Sequence, residues 1–349
     1  MRVLVTGAAG FIGGAVCREL TEHGHDVVAV DLMIPQAHRS AEPPAGVHRL
    51  DVRDAESWTH LLDGVDAACH QAAVVGAGAR VSDLPVYAAH NDLGTAALLS
   101  AMHVAGVAAL VLASSMVVYG EGRYVCPEHG PQQPEPRRAA DLDAGRFGVC
   151  CPACGAELEW TLVEEDAPLE PRSGYAASKV AQEHYAAAWA RQADATVVAL
   201  RYHNVYGPGM PRDTQYSGVA AMFRSSLERG EAPQVYEDGL QARDFVHVGD
   251  VARANALALG AVGTAAGFRA YNVCSGVPVT IGEVAQLVAN GAAAPRRPVV
   301  TGRYRAGDVR HVVASSRRAA EELGFTARVA PQQGLPAFAT APLRGSPPR

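Results

Sequence analysis

The sequence predicts an α/β chain built on a doubly wound parallel sheet, with a smaller C-terminal lobe and a cysteine-rich insertion. Three observations carry that prediction. Short runs of Val, Leu and Ala alternate with helix-length stretches through the first 206 residues, a glycine-rich turn follows the first run at once, and the rhythm breaks over 121–165 and again beyond about 207. Continuous apolar runs separated by helices mark strands covered on both faces, as in a parallel sheet.

In chain order, strands are expected at 3–6, 27–31, 47–52, 67–72, 110–114 and 196–201, alternating with helix-length stretches. Residues 1–206 then form the core. Residues 207–341 form a second lobe of short, irregularly alternating pieces, of which about 244–260 returns to pack on the core. The segment 121–165, rich in Cys, Pro and charge, reads as an insertion, and 342–349 as a disordered tail.

At 349 residues the chain can bury a large core. A formal charge of −6 without a Lys- or Arg-rich run argues against nucleic acid as a partner. Glycine breaks the opening apolar run too early for a signal peptide, and no later stretch is long enough to span a bilayer. The expected location is the cytoplasm, without membrane association. Cys17, Cys69 and Cys274 are scattered in apolar contexts, whereas Cys126, Cys150, Cys151 and Cys154 gather in the insertion. In a reducing compartment such a cluster suggests metal before disulfide.

Thr6-Gly7-Ala-Ala-Gly10-Phe11-Ile12-Gly13 follows the first strand and opens a helix. Its glycines can make the tight turn, admit a pyrophosphate to the backbone, and let helix meet strand. The second strand ends at Asp31, where a carboxylate can accept the adenosine ribose hydroxyls and repel a 2′-phosphate. The cofactor expected is NAD in preference to NADP.

Tyr175 and Lys179 are four apart and so share one helix face. An ammonium beside a phenol should lower the phenol pKa and make Tyr175 a general base and later an acid, while Lys179 also holds the nicotinamide ribose. Ser115 falls at the C-terminal end of the fifth strand, the edge where open α/β sheets bind ligands, and can relay the proton or bind a substrate oxygen.

The Gly-x-x-Gly-x-x-Gly spacing resembles that of the extended short-chain dehydrogenase/reductases of the nucleotide-sugar epimerase type, which have a Rossmann-type fold. The resemblance runs through Asp51-Val52, His70-Gln-Ala-Ala73, Asn91, Ser114-Ser115-Met-Val-Val-Tyr119-Gly120, Tyr175-x-x-x-Lys179, Arg201-Tyr-His-Asn204-Val-Tyr-Gly-Pro208 and Arg243-Asp-Phe-Val-His247. It implies that Asp51 and Val52 flank the adenine, that Ala72 and Asn91 line the cofactor, and that Tyr202 and His203 lie near the nicotinamide. It further implies that Asn204 touches the diphosphate and that Arg243 and Arg305 bind the phosphates of a UDP- or dTDP-sugar, a task suited to the guanidinium fork. The reaction implied is inversion at C4 through a transient 4-keto sugar. Dehydratases of this family carry Asp-Glu after the active-site Ser or Thr, whereas Met116 and Val117 here cannot transfer a proton. Family members pair through two helices per subunit, so a homodimer is expected through about 87–105 and 175–190.

The insertion contains Cys126-Pro-Glu-His129-Gly130 and Cys151-Pro-Ala-Cys154-Gly155, two copies of one knuckle pattern. Four such ligands suit structural zinc with no open coordination position, and Cys150 is an alternative to His129. Free cysteines or a Cys126–Cys150 disulfide are the competing readings. Because the segment leaves after Ser115 and returns before Tyr175, a metal-fixed loop is expected as a wall or lid over the sugar. The insertion, the 114–122 segment and Pro35-Gln36-Ala-His38 are similar to those of dTDP-L-rhamnose 4-epimerases. Two other readings stay open: a net nucleotide-sugar reductase or dehydrogenase, and a catalytically silent NAD-sensing or zinc-mediated interaction protein.

Overall fold

Seven segments pair into one parallel sheet: β1 (Arg2–Thr6), β2 (Asp26–Asp31), β3 (Val47–Arg49), β4 (Ala67–His70), β5 (Ala109–Ser115), β6 (Thr196–Tyr202) and β7 (Gly267–Val273). Their order is β7-β6-β5-β4-β1-β2-β3. The computed structural model describes every position except 36, 39, 41, 77–79, 213–217, 263–265 and 345–349. Alternation along a strand sends successive side chains to opposite faces. Val3 and Val5 therefore join one core layer, with the Phe11–Glu22 and Val248–Ala261 helices, and Leu4 joins the other, with the Gly94–Val104 and Gly174–Gln192 helices. Strand order reverses between β1 and β4, which opens a crevice at the carboxyl edge of the sheet.

The seventh strand corrects the expectation that 260–341 belongs wholly to the second lobe. Gly267-Phe-Arg-Ala-Tyr-Asn-Val pairs with all of β6 from Thr196 to Tyr202. As an edge strand it carries an exposed Arg269 and a polar Asn272, so it lacks the unbroken apolar run of the inner strands.

The second lobe has its own core, including Tyr206, Phe223, Phe245, Val284, Leu335 and Phe338. Its Ile281–Gly291 helix starts at a capping box, in which Thr280 and Glu283 each bond the other's backbone N–H. The start of the expected disordered tail is also ordered here. Leu343 is buried in this core, and the Arg344 N–H donates to the Met210 carbonyl, because one apolar side chain finds a prepared pocket. The rest of that tail lies outside the described residues. Among the described residues no helix is long and apolar enough to cross a membrane.

The insertion forms a three-stranded antiparallel sheet, Gly130–Gln132, Arg123–Cys126 and Glu159–Thr161, with a short helix at Ala139–Asp143. Its buried cluster is only Tyr124, Cys126, Val149, Cys151 and Leu158. A core of that size cannot hold a fold alone without a metal or a docking surface.

Candidate active site

The glycine turn at the end of β1 is a cradle shaped by backbone. Gly7 has a positive φ of 67°, and a Cβ there would lie 2.7 Å from Ala72 N; a Cβ on Gly13 would overlap the Gly7 carbonyl oxygen. No side chain caps the Phe11–Glu22 helix at Gly10, so its first N–H groups are available to an anion, while Phe11 and Ile12 pack against the core. A cavity of about 120 Å³ beside the turn is lined by Gly7, Gly10, Asp31, Asp51, Val52 and Ala72, among others. Asp31 accepts the Ala9 and Met33 N–H groups at 3.0 and 2.8 Å and faces His38 Nε2 at 3.3 Å. Burial raises its pKa, but these contacts prevail and hold it below the usual value. Asp51 is engaged by Arg53, with Nη2 to Oδ2 at 2.6 Å.

Asn91 sits behind this surface. Its fully buried amide accepts from Val74 N–H and donates to the Val74 carbonyl and to Ser178 Oγ. It thereby ties the loop after β4 to the helix that carries Tyr175. Tyr202 ends β6 beside Ser115, but its ring is buried in the core and its hydroxyl donates to Gln71 Oε1 and accepts from Asn255 Nδ2. His70, bonded to Thr6 and Thr95, is driven to a pKa of about 3 by burial and by Lys179, and so stays neutral.

Ser173 caps the Gly174–Gln192 helix by accepting the Ala176 N–H, which places Tyr175 in the first turn and Lys179 one turn later. Lys179 is buried and donates to the Ala113 carbonyl at 2.8 Å, with Nζ 6.0 Å from the Tyr175 ring centroid. Burial brings the ammonium down to about 8, against the pull of Glu183 and Asp92. The expectation that Lys179 lowers the Tyr175 pKa is not met. Burial pushes the phenol above its ordinary value, and the opposing group is the Ser115 hydroxyl. Loss of hydration dominates, and the Lys179 ammonium, directed at a carbonyl, is not among the groups that lower the phenol.

A cavity of about 310 Å³ opens in front of these groups, lined by Met116, Val117, Arg172, Tyr175, Asn204 and Asp308, among others. Asn204 and Asp308 also line a second cavity of about 530 Å³, with Tyr236, Glu237, Arg243 and Arg305. Together they make a groove running from Tyr175 into the second lobe. Arg305 lies over the Tyr236 ring, 5.3 Å from its centroid. Arg243 is placed differently from the freely donating fork its motif implies. It donates hydrogen bonds to the Ala242, Val309 and Arg310 carbonyls and so buttresses the cavity wall. His203 is buried with both ring nitrogens unpartnered, and burial together with Arg243 brings its pKa to about 3. Residues 121–165 do not line the cavity in front of Tyr175, which corrects the expected wall or lid over the sugar.

Two groups escaped the sequence reading. Glu183, two turns after Tyr175, forms a buried ion pair with Arg201 at 2.7 Å. Arg137, in the insertion, forms another with Glu237 at 2.8 Å. An arginine inside the apolar β6 run is a signal, since a buried guanidinium requires a carboxylate. Arg137 gives no such signal.

The four ligand atoms of Cys126, His129, Cys151 and Cys154 lie within 4.8 Å of one another. Cys126 Sγ is 3.5 Å from His129 Nδ1 and 3.7 Å from Cys154 Sγ, and Cys151 Sγ is 3.8 Å from His129 Nδ1. Tetrahedral zinc with bonds of about 2.3 Å to sulfur and about 2.0–2.1 Å to nitrogen sets its ligands about 3.6–3.8 Å apart. All of the cysteines are free thiols, Cys150 is exposed, and the gathered set contains His129 in its place.

Comparison with known proteins agrees with this geometry. The chain is 32% identical over 344 residues to dTDP-L-rhamnose 4-epimerase of Burkholderia thailandensis, covering 96% of this chain and 93% of that one. It is 30% identical to UDP-glucose 4-epimerase of Mycolicibacterium smegmatis, covering 96% of each. The solved UDP-glucose 4-epimerase of Thermus thermophilus in complex with NAD superposes with a TM-score of 0.76 at 31% identity, over 97% of this chain and 98% of that one. The profile of the NAD dependent epimerase/dehydratase family matches residues 3–139 and 150–274, interrupted only within the insertion. The chain belongs to the NAD dependent epimerase/dehydratase family.

Proposed function

We propose that the chain is an isomerase that inverts C4 of a pyrimidine nucleoside-diphosphate hexose, a UDP- or dTDP-sugar. The observation that carries this reading is Tyr175 on the wall of the groove, hydrogen-bonded to Ser115, with Met116 and Val117 beside it, which have no titratable proton. The Gly7–Gly13 turn would hold the NAD pyrophosphate, Asp31 the adenosine ribose, and Tyr175 and Lys179 the nicotinamide ribose. When bound, NAD⁺ would supply the acceptor for the C4 hydride, which is given back to the opposite face of the 4-keto sugar. Tyr175 then takes the proton of the C4 hydroxyl, Ser115 orients the sugar oxygen, and Tyr175 returns the proton after the 4-keto sugar turns over. Arg243 and Arg305 would serve the nucleotide end of the groove, Arg305 from beside Tyr236 and Arg243 through the wall it holds, and Asn204, which lines both cavities, would face the diphosphate. The experiment is incubation of the purified protein with UDP- and dTDP-hexoses and NMR of the products. A C4 epimer formed without net NADH production supports the reading, and net reduction or oxidation would move the chain to the reductase alternative.

We assign the cysteine cluster to structural zinc. With four protein ligands such a metal has no open position and takes no part in chemistry. Metal analysis of protein purified without chelator should give about one zinc per chain. Replacing Cys151 and Cys154 by Ser should release it and loosen the insertion, seen as faster proteolysis there. A metal-free preparation with an intact insertion would contradict the assignment.

A homodimer is proposed through the neighbouring 84–104 and 174–192 helices. They expose Leu84, Val86, Leu93 and Tyr185, all at 45% or more, an apolar density that a monomer would leave in water. Light scattering at micromolar concentration should give twice the chain mass, and a monomer mass would end this proposal.

A further inference from the structure

The insertion grips one part of the second lobe. Tyr124 Oη accepts the His311 N–H at 3.1 Å, Trp160 stacks on His311 with centroids 6.2 Å apart, and Tyr304 Oη donates to Asp143 at 2.7 Å. Arg137 makes the buried link. Its side chain is 5% exposed and its partner Glu237 is 2% exposed. It bonds Phe147 O within the insertion, both Glu237 oxygens at 2.8 and 2.9 Å, and Asp308 O at 2.7 Å. Glu237 and Asp308 lie in two separate stretches of chain, and both line the 530 Å³ cavity with Arg305 and Tyr236. One guanidinium therefore spans two walls of that cavity. Glu237 itself has a positive φ of 54°, a conformation that costs a non-glycine residue energy and persists only where neighbours fix it.

We propose that Arg137 is a positioning residue through which the insertion sets the width of the nucleotide cavity, without acting on the chemistry at Tyr175. This deepens the reading that the cavity takes the nucleoside diphosphate, and it rests on that reading. A planar fork holds two walls at a fixed separation because each of its bonds has a set direction. Removing it should weaken nucleotide binding in ground and transition states alike, which raises KM and spares kcat. Glu237 would keep Arg310 as a partner at 2.8 Å, so the substitution leaves no unpaired buried carboxylate.

The test is calorimetric titration of the full-length, NAD-containing protein with UDP and with dTDP, together with steady-state kinetics. For Arg137→Ala, the affinity for whichever nucleotide binds the wild type should fall about tenfold or more, with KM rising in parallel and kcat within about twofold. Arg137→Lys keeps the charge without the fork and should recover only part of the loss. Tyr304→Phe removes one exposed link to the same segment, should fold normally, and should weaken the nucleotide several-fold; it decides the matter if Arg137→Ala does not fold. Failure of the wild type to bind either nucleotide would overturn the cavity assignment and this inference with it. Normal binding by wild type and variants alike, or a fall in kcat at unchanged affinity, would overturn the role of Arg137 alone.

Discussion

Tyr175→Phe should lower kcat by about two to four orders of magnitude, the contribution of a positioned proton acceptor, and leave folding and NAD content unchanged. The ring stays because its packing stays: Tyr175 lies against Tyr87 with centroids 5.8 Å apart, and a phenylalanine fills the same space. Only the hydroxyl between Ser115 and the cavity is lost. Burial raises the pKa of that hydroxyl, so proton transfer by Tyr175 would depend on charge brought into the pocket with the reactants. His70 is neutral and occupied by two threonines, and Met116 and Val117 cannot titrate. NMR-detected product formation, bound-NAD content and circular dichroism on one preparation check the three parts. Retention of more than about a tenth of the activity would remove Tyr175 from the proton transfer that general-base catalysis requires.

Local pattern carried the inner sheet and the cradle. The inner strands β1, β2, β4, β5 and β6 were legible because each is largely buried and mostly apolar, and the glycine turn because backbone contact with Ala72 leaves no room for a side chain. What escaped depends on partners distant in sequence. Strand β7 is an edge strand whose exposed Arg269 interrupts the apolar run. Arg137 looks like any loop arginine until the fold brings it to Glu237, and the arginine motif at Arg243 does not reveal that its donors are taken by the 309–310 carbonyls. The Cys/His knuckles were the opposite case, since their ligand spacing is set within a few residues and reads without knowledge of the fold.

The second large effect belongs to Glu183, which in sequence is one more carboxylate on a helix. In the fold its side chain is 2% exposed and accepts from Arg201 Nε and Nη2 at 2.9 and 2.7 Å and from the Ser114 hydroxyl. Arg201 continues the network through Nη1 to Tyr119 Oη at 2.9 Å and to the Glu165 carbonyl at 2.8 Å, and Tyr119 donates to Asn272 on β7. One carboxylate thus joins β5, β6, β7 and the returning end of the insertion to the helix that presents Tyr175. Glu183→Ala should cost about 3–5 kcal/mol, because it strands a buried guanidinium that cannot shed its proton. Urea unfolding should show a lower midpoint, whereas exchanging Glu183 and Arg201 together for apolar residues should recover much of the loss. A loss below about 1 kcal/mol in the single variant would show that water reaches Arg201 and that the pair is not the clamp described. With Lys179 in the proposed catalytic group, the same change should reach catalysis through it, because its pKa is already brought down to about 8 by burial and is held up by Glu183. Without that carboxylate the ammonium is lost at lower pH. The alkaline limb of the activity profile should therefore move toward neutrality in any Glu183→Ala protein that remains folded, while Glu183→Asp, which keeps the charge, should move it less.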